Sequence, residues 1–463
     1  MRKRLLLVLL LLCGAGTASA IEPPSFLPRA VAYQIVFRNF TREGTIRAAT
    51  DMLEHVRSAG VDIVYLSPFV RMDEDMNRDG WSPRQIKSGF ESPKNPYRIA
   101  DYAAVDPEYG TEDDLRRFVA RAHELGLRVI FDLVYLHCGP NNVIQKSIPE
   151  AFERNPDGTV RMTKWKFPYL NFKSPAVREY LWSNMEHFVR DAGCDGFRCD
   201  VGDDVPIDFW EEGLRRCRCF RDDFIMINEG DRVEWLERAF HVGYAWSVAC
   251  CVRETLNGSC RIPFGDLRKA MADYEAKMPR GTLLFNFMDN HDTATDDWER
   301  RFDRILPVRA GNAGFVVQFL RRGVPVVFNG NEVADTALST FFGPVGHPLR
   351  AAKSVDWGRA LTADGRCRLE LIRRLSSLRH THPALGDGTM TYLTPQGGER
   401  VFAFVRASSE GAKLLVAANL SSDPCEFSLP CEPSRVLLED ELTCSDGKFH
   451  AGPFGYLVAE LRK

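Results

Sequence analysis

A (β/α)8 barrel with a small β domain behind it is the fold this sequence predicts, and three observations predict it. Short apolar runs alternate with amphipathic helical stretches from about residue 30 to about 380. Beyond that the pattern changes to alternating strands separated by Gly, Ser and Pro turns. Three of the apolar runs end at acids: Asp200, Glu229 and Asp292. The first pattern is what parallel strands with crossover helices require, and such a barrel gathers reactive groups from distant sequence onto one rim. A chain of 463 residues that is 44% apolar can bury that barrel and a companion domain.

The N-terminus reads Arg2-Lys3-Arg4, then an apolar run from Leu5 to Leu12, then small residues ending Ala18-Ser19-Ala20. That is the layout of a secretory signal, with cleavage expected after Ala20. The run is too short to cross a bilayer, which needs about 20 residues, so no membrane insertion is expected after cleavage. The expected location is periplasmic or extracellular. The expected organisation is a signal at residues 1–20, the barrel at 21–382, and a C-terminal antiparallel β-sandwich domain at 383–463.

Eight runs supply the barrel strands: Ala30 to Phe37, Asp62 to Leu66, Arg128 to Val134, Cys194 to Cys199, Phe224 to Ile227, Val242 to Trp246, Leu283 to Phe287 and Val324 to Phe328. Between them, Glu112 to Leu125 and Ala176 to Ala192 carry apolar positions at helical spacing, the first with Asp113 and Asp114 at its dipole-favoured start. Residues 138–172, after the third strand, hold prolines and an Asp157-Gly158 turn with little periodicity. They read as a short inserted loop domain on the rim, where binding clefts are commonly shaped. In the C-terminal domain, Val401 to Arg406 and Lys413 to Asn419 are the clearest strands.

Charge and cysteine usage narrow the partners. Without Arg2, Lys3 and Arg4 the 60 basic residues fall to 57 against 63 acidic, a net charge of −6. No long basic stripe is present, so nucleic acid is excluded and a neutral substrate is favoured. Cys13 leaves with the signal, and the other twelve cysteines would meet an oxidising compartment in which some disulfides can form. Cys217 with Cys219, and Cys250 with Cys251, lack a second pair or a histidine at zinc spacing, so no metal is assigned to them. Cys194 and Cys199 read as small hydrophobes within a strand.

The chemistry lies in the strings around the three acids. They are Asp195-Gly196-Phe197-Arg198-Cys199-Asp200, Ile225-Met226-Ile227-Asn228-Glu229 and Phe287-Met288-Asp289-Asn290-His291-Asp292. Cleaving a glycosidic acetal needs an acid to protonate the leaving oxygen and a carboxylate facing the oxocarbenium-like carbon, and a third acid can hold hydroxyls and support the developing charge. With Asp132-Leu133-Val134-Tyr135-Leu136-His137 ahead of them, these strings resemble, in order, the four motifs of the α-amylase family of glycoside hydrolases. Supporting matches are Ser67-Pro68, Tyr97 ahead of Asp101-Tyr102, Phe167-Pro168-Tyr169-Leu170-Asn171, and Gly323-Val324-Pro325 through Glu332.

The resemblance implies Asp200 as nucleophile, Glu229 as proton donor, and Asp292 as a grip on sugar hydroxyls together with His291. It implies Tyr97 as the ring that stacks on the same sugar, and Arg198, His137 and Asp132 as further substrate-side residues, Asp132 being read equally as a group that only orients its neighbours. Physically, Arg198 two residues from Asp200 on one strand face is expected to depress that acid's pKa, while burial and neighbouring anions keep Glu229 protonated. Trp81 and Trp165 are read as packing.

Two departures from the family pattern matter. Leu136 stands where the first motif usually carries an asparagine for a structural calcium, and a leucine side chain offers no oxygen to a hard cation, so no calcium is expected at that position and no cofactor is assigned, a structural calcium elsewhere being left open. After Asp200 the chain reads Val201-Gly202-Asp203-Asp204, closer to neopullulanase and cyclomaltodextrinase relatives, which implies Asp203 or Asp204 on the leaving-group side. Those relatives usually carry an N-terminal β domain that aids dimerisation. Here the barrel starts near residue 30, so a monomer or weak oligomer is expected. The expected function is an exported retaining hydrolase of starch-derived or maltooligosaccharide α-glucans. The alternatives are a glucosyl-transferring enzyme of the same fold and a non-catalytic α-glucan-binding protein.

Overall fold

The structure, a computed structural model, describes residues 20–296, 301–337, 340–343 and 354–462. The signal therefore lies outside the described residues, apart from Ala20. Among the described residues no helix is long and apolar enough to cross a membrane.

Ten strands precede the C-terminal sheet: β1 (Ala32–Ile35), β2 (Ile63–Leu66), β3 (Val70–Met72), β4 (Ile99–Val105), β5 (Arg128–Leu133), β6 (Gly196–Cys199), β7 (Ile225–Asn228), β8 (Val242–Gly243), β9 (Leu283–Phe287) and β10 (Val324–Phe328). Eight of them, all except β3 and β4, close into a parallel barrel in the order β1-β2-β5-β6-β7-β8-β9-β10. Each coincides with an expected run. Side chains alternate across the barrel wall, as a two-residue period demands. Ile63, Tyr65, Ile130, Ile225, Ile227, Phe285 and Val326 fill the interior, while Val64, Val129, Phe197 and Met226 face the surrounding helices. A Cβ at Gly196 would lie 2.4 Å from the Ile225 carbonyl oxygen, so glycine lets β6 and β7 approach closely inside the barrel.

Three local differences from the sequence reading have physical causes. The sixth barrel strand, β8, has only two residues, because the backbone turns left-handed at Ala245 (φ 48°) into a helical turn, Trp246–Ala249. The loop after β2 holds an unforeseen antiparallel pair, β3 with β4, and a five-residue helix, Pro83–Lys87. Two register shifts within three residues erase the alternation that would have marked that pair. The rim segment 138–172 keeps one helical turn, Ile144–Ser147, and single bridges such as His137 with Tyr169 that fasten it back to the third strand's end.

The C-terminal sheet has seven strands, β11 (Thr389–Leu393), β12 (Gln396–Gly397), β13 (Val401–Ala407), β14 (Lys413–Asn419), β15 (Cys425–Ser428), β16 (Pro433–Ser445) and β17 (Lys448–Leu461). β17 bends around Phe454, so its first half pairs with β15 and its second half with β14. The sheet thereby folds over its own core of Val401, Leu415, Phe427, Leu442 and Phe449, giving the sandwich-like form. Its other face, with Phe402, Phe404 and Val416, joins the main core of the barrel. Among the described residues no two cysteines are joined in a disulfide.

Candidate active site

Asp132 is the penultimate residue of β5, Arg198 lies opposite it in β6, and Ile227 of β7 is next in register. Arg198, Asp200 and Glu229 therefore leave adjacent strands at one mouth of the barrel. Arg198 is fully buried and organises the acids. Its Nη1 is 2.7 Å from Asp132 Oδ1 and 2.9 Å from Asp200 Oδ1, and its Nη2 is 2.8 Å from Glu229 Oε2. Asp200 and Glu229 thus reach the two ends of one guanidinium. Tyr244 covers the cation, with its ring centroid 5.3 Å from the guanidinium carbon.

Three negative groups around one positive group in a buried site leave an excess of negative charge. Burial, and then the charge of Glu229, push Asp200 well above the usual carboxylate range, with Arg198 opposing them. Arg198 does depress Asp200 as expected, but its charge is divided among three acids, and burial with Glu229 carries the net shift upward. Burial also raises Glu229, with Asp292 adding to it against Arg198. The two acids titrate as a pair that holds on to a proton. Glu229 Oε2 accepts the Val201 backbone N–H at 2.9 Å as well as facing Arg198, so a proton on this acid belongs on Oε1. Val201 itself is left-handed (φ 45°), a costly conformation for a β-branched residue, and that conformation points its N–H at Glu229.

Opposite this pair, His291 and Asp292 follow β9. Gln34 donates to His291 Nδ1 at 2.7 Å, which puts the imidazole proton on Nε2, 2.6 Å from the Tyr97 hydroxyl and 3.4 Å from Asp292 Oδ2. Tyr97 in turn donates to Asp132 Oδ2 at 3.1 Å and lies parallel to His291 (12° between rings). Burial lowers His291 to about 4 and His137 to about 3, so both are neutral at ordinary pH. Burial alone would raise Asp292, but His291, Arg84 and Arg198 outweigh it and bring this acid to about 2.

Together these groups line an open cavity with Trp165 and Phe167 on one wall and Phe341 and Phe342 on another. Of the expected residues, Asp200, Glu229, Asp292, His137, His291 and Tyr97 line it, and Arg198 lies beneath them. Two expectations are corrected. Asp132 does not face the cavity, because Arg198, Tyr65 and Tyr97 take both its oxygens, so it orients its neighbours. Asp203 does not line the leaving-group side. It accepts from Asn228 Nδ2 at 2.7 Å and from the Asp231 N–H at 3.1 Å, and a Cβ on Gly230 would lie 2.3 Å from its carboxyl carbon. It is a brace under the loop that carries Glu229, and Asp204 is an exposed partner of Arg232.

Trp81 is fully buried packing, as read, but Trp165 lines the cavity, its ring near that of His137. Arg84 was not foreseen either, and no local signal marks it.

Two groups could be taken for metal ligands. Asp73, Asp75, Asn77 and Asp79 form a run of alternating acidic and amide side chains, but Arg98 Nη2 sits 3.4 Å from Asp73 and 3.6 Å from Asp75, so a cationic side chain fills the place of an ion. Cys251, Glu254 and Cys260 bring one ligand atom each within 4.8 Å, one fewer than the four of a closed structural zinc site.

A parallel barrel with acids, a buried arginine and neutral histidines at one mouth, and a sandwich-like sheet behind it, is the arrangement that the resemblance of the motifs to the α-amylase family implies. Comparison with known proteins agrees. The family model for the α-amylase catalytic domain matches residues 22–157. A cyclomaltodextrinase of a Bacillus species is 24% identical over 460 residues, covering 89% of this chain and 75% of that protein. An α-1,4-glucan:maltose-1-phosphate maltosyltransferase of Myxococcus xanthus is 25% identical over 85% of this chain and 59% of its own length. The first curated relatives matched thus extend beyond what this chain spans, by a quarter of their length or more. In fold, a noncanonic maltogenic α-amylase from Thermotoga neapolitana superposes with a TM-score of 0.78 over 94% of this chain and all of its own, at 21% identity. The chain is a relative of the α-amylase-family glycoside hydrolases.

Proposed function

We propose that this protein is an exported retaining glycoside hydrolase that cleaves α-glucosidic bonds in maltooligosaccharides and related α-glucans. The observation that carries the reading is Asp200 and Glu229 held at opposite ends of the Arg198 guanidinium. Asp200 attacks the anomeric carbon and forms a β-glycosyl ester. Glu229, protonated on Oε1, gives its proton to the leaving oxygen and then takes one from the water that hydrolyses the ester. Asp292, held anionic, and the neutral imidazole of His291 bind ring hydroxyls and support positive charge as the ring flattens. Trp165 and Phe167 supply an apolar wall beside the acid. No step calls for a metal, and the buried side chain of Leu136, just past the third barrel strand, has no oxygen to give one.

Asp200→Asn is the direct test. The variant should keep the wild-type circular dichroism and lose about 10⁴-fold or more in kcat on maltoheptaose, as loss of a covalent nucleophile does. Turnover within tenfold of wild type would remove Asp200 from the role. The likeness to a maltosyltransferase supports glucosyl transfer as the second reading. With excess maltose as acceptor, products longer than the starting chain would favour it.

A further inference from the structure

Arg84 comes from the helix Pro83–Lys87, in the excursion after β2 that the barrel pattern does not require. That helix is firmly placed. Ser82 caps it by accepting the Gln85 N–H at 3.1 Å, and Gln85 Nε2 donates to the carbonyls of Ser92 (2.8 Å) and Pro93 (3.1 Å). From this base Arg84 reaches 208 residues along the chain. Its Nη1 is 2.8 Å from Asp292 Oδ1 and its Nη2 is 3.4 Å from the Asp292 carbonyl oxygen. The guanidinium lies 5.4 Å from the Phe341 ring centroid, and Phe341 is backed by Phe342, Phe90 and Phe328. The arm is therefore supported along its length by packed aromatic side chains.

Its position relative to the chemistry has a consequence for the substrate. Glu229, the proton donor, marks the side on which the leaving group departs. On the reading above, Asp292 and His291 grip the sugar on the other side of the scissile bond, and Arg84 pairs with Asp292 in the lining of the same pocket. A long α-glucan bound through the middle would have to continue past that carboxylate. If the chain continues on the Arg84 side of that carboxylate, the guanidinium and the phenyl rings behind it stand in its way, and the fork offers N–H donors to the hydroxyls of a terminal sugar.

We propose that Arg84 is a glycone-side stop that admits a single glucosyl ring beyond the scissile bond, so that the site works from the non-reducing end of an α-glucan. This rests on the hydrolytic reading above. A cyclic maltooligosaccharide has no such end and should be a poor substrate.

The test compares p-nitrophenyl α-maltoheptaoside with the same chain capped by a 4,6-ethylidene group on its terminal ring. Wild type should cleave the open chain about 100-fold faster than the capped one, a discrimination of the size that a steric and hydrogen-bonding mismatch in a closed pocket produces. Arg84→Ala should bring that ratio below about ten, while Arg84→Lys, which keeps charge and length, should retain most of it. Equal cleavage of both chains by wild type, or an unchanged ratio in Arg84→Ala, overturns the stop. Calorimetric binding of the two chains to the Asp200→Asn protein makes the same comparison without turnover. Open-chain binding with no capped-chain binding, and loss of that difference when Arg84→Ala is added, supports the stop even if no hydrolysis is seen. Equal binding overturns it even if hydrolysis is confirmed, and binding of neither chain overturns both readings.

Discussion

Arg198 at the barrel mouth and Arg379 at its opposite end are both fully buried cations, and their surroundings have opposite effects. Around Arg198 burial works against the charge, but Asp132 and Glu229 outweigh it and raise its pKa well above the usual value. Arg379 is surrounded by carbonyl oxygens. It donates to Phe319 at 2.7 Å, Gly323 at 2.7 Å and Pro28 at 2.6 Å, and burial together with the nearby Arg406 lowers it to about 9. Arg406 treats Leu320 and Gly388 in the same way, at 3.1 Å each, and is lowered to about 10. The Phe319 and Leu320 carbonyls end the helix Val308–Leu320, whose last turn leaves its carbonyls without intrahelical N–H partners, and that of Gly323 leads into the eighth barrel strand. A buried cation among carboxylates makes a reactive site, because the acids share it and compete for a proton. Among carbonyl dipoles the same side chain fastens the barrel to the helix and sheet behind it.

Exchanging each arginine should separate the two roles. Arg198→Lys should lower kcat by about 10³-fold with a small change in Tm, because a single ammonium cannot serve three carboxylates through a two-ended fork. Retention of more than a tenth of the activity would show that the acids are positioned by something else. Arg379→Met should do the reverse. Leaving several carbonyls unpaired costs about 3 kcal/mol, read as a fall in the denaturant midpoint, with kcat at 25 °C unchanged within about twofold. A loss of activity without loss of stability would break the distinction between the two ends.

The smallest effect sharpens the electrostatics. Folding raises the pKa of Asp200 and Glu229, so the folded state binds more protons than the unfolded state above the ordinary carboxylate range. Stability contributed there is full at acid pH and is lost as pH rises through the folded values. Asp200→Asn removes one of the competing charges. Between pH 5 and pH 8 the variant should gain about 1–3 kcal/mol in unfolding free energy relative to wild type, on the scale of about 1.4 kcal/mol per pKa unit. A parallel stability–pH curve for the two proteins would show that Arg198 already neutralises Asp200.

Legibility in the sequence followed the range of each interaction. The eight barrel strands were readable because each is a short apolar run whose strand character is local, and β8 was overextended only where a left-handed Ala245 stops it. Asp200, Glu229, Asp292, His137 and His291 were readable because each stands in a motif next to the strand that carries it. The β3–β4 pair was not, since its register shifts leave no period to detect. Trp165 looks like any packed tryptophan until the rim segment folds it against His137. The residues Asp132 and Asp203 were correctly placed at the mouth, but their oxygens turned out to be committed to neighbours, which no linear pattern reveals.

By itself the sequence determined which strands form, which end of the barrel carries acids, and which chemistry three carboxylates with an arginine suit, because strand periodicity and motif spacing are properties of neighbouring residues. Only the tertiary structure decided how the charges are shared: one guanidinium among three acids, an arginine from 208 residues away on Asp292, and buried arginines on carbonyls at the far end. Charge effects fall steeply with distance and grow with burial, and both quantities exist only once the chain has folded.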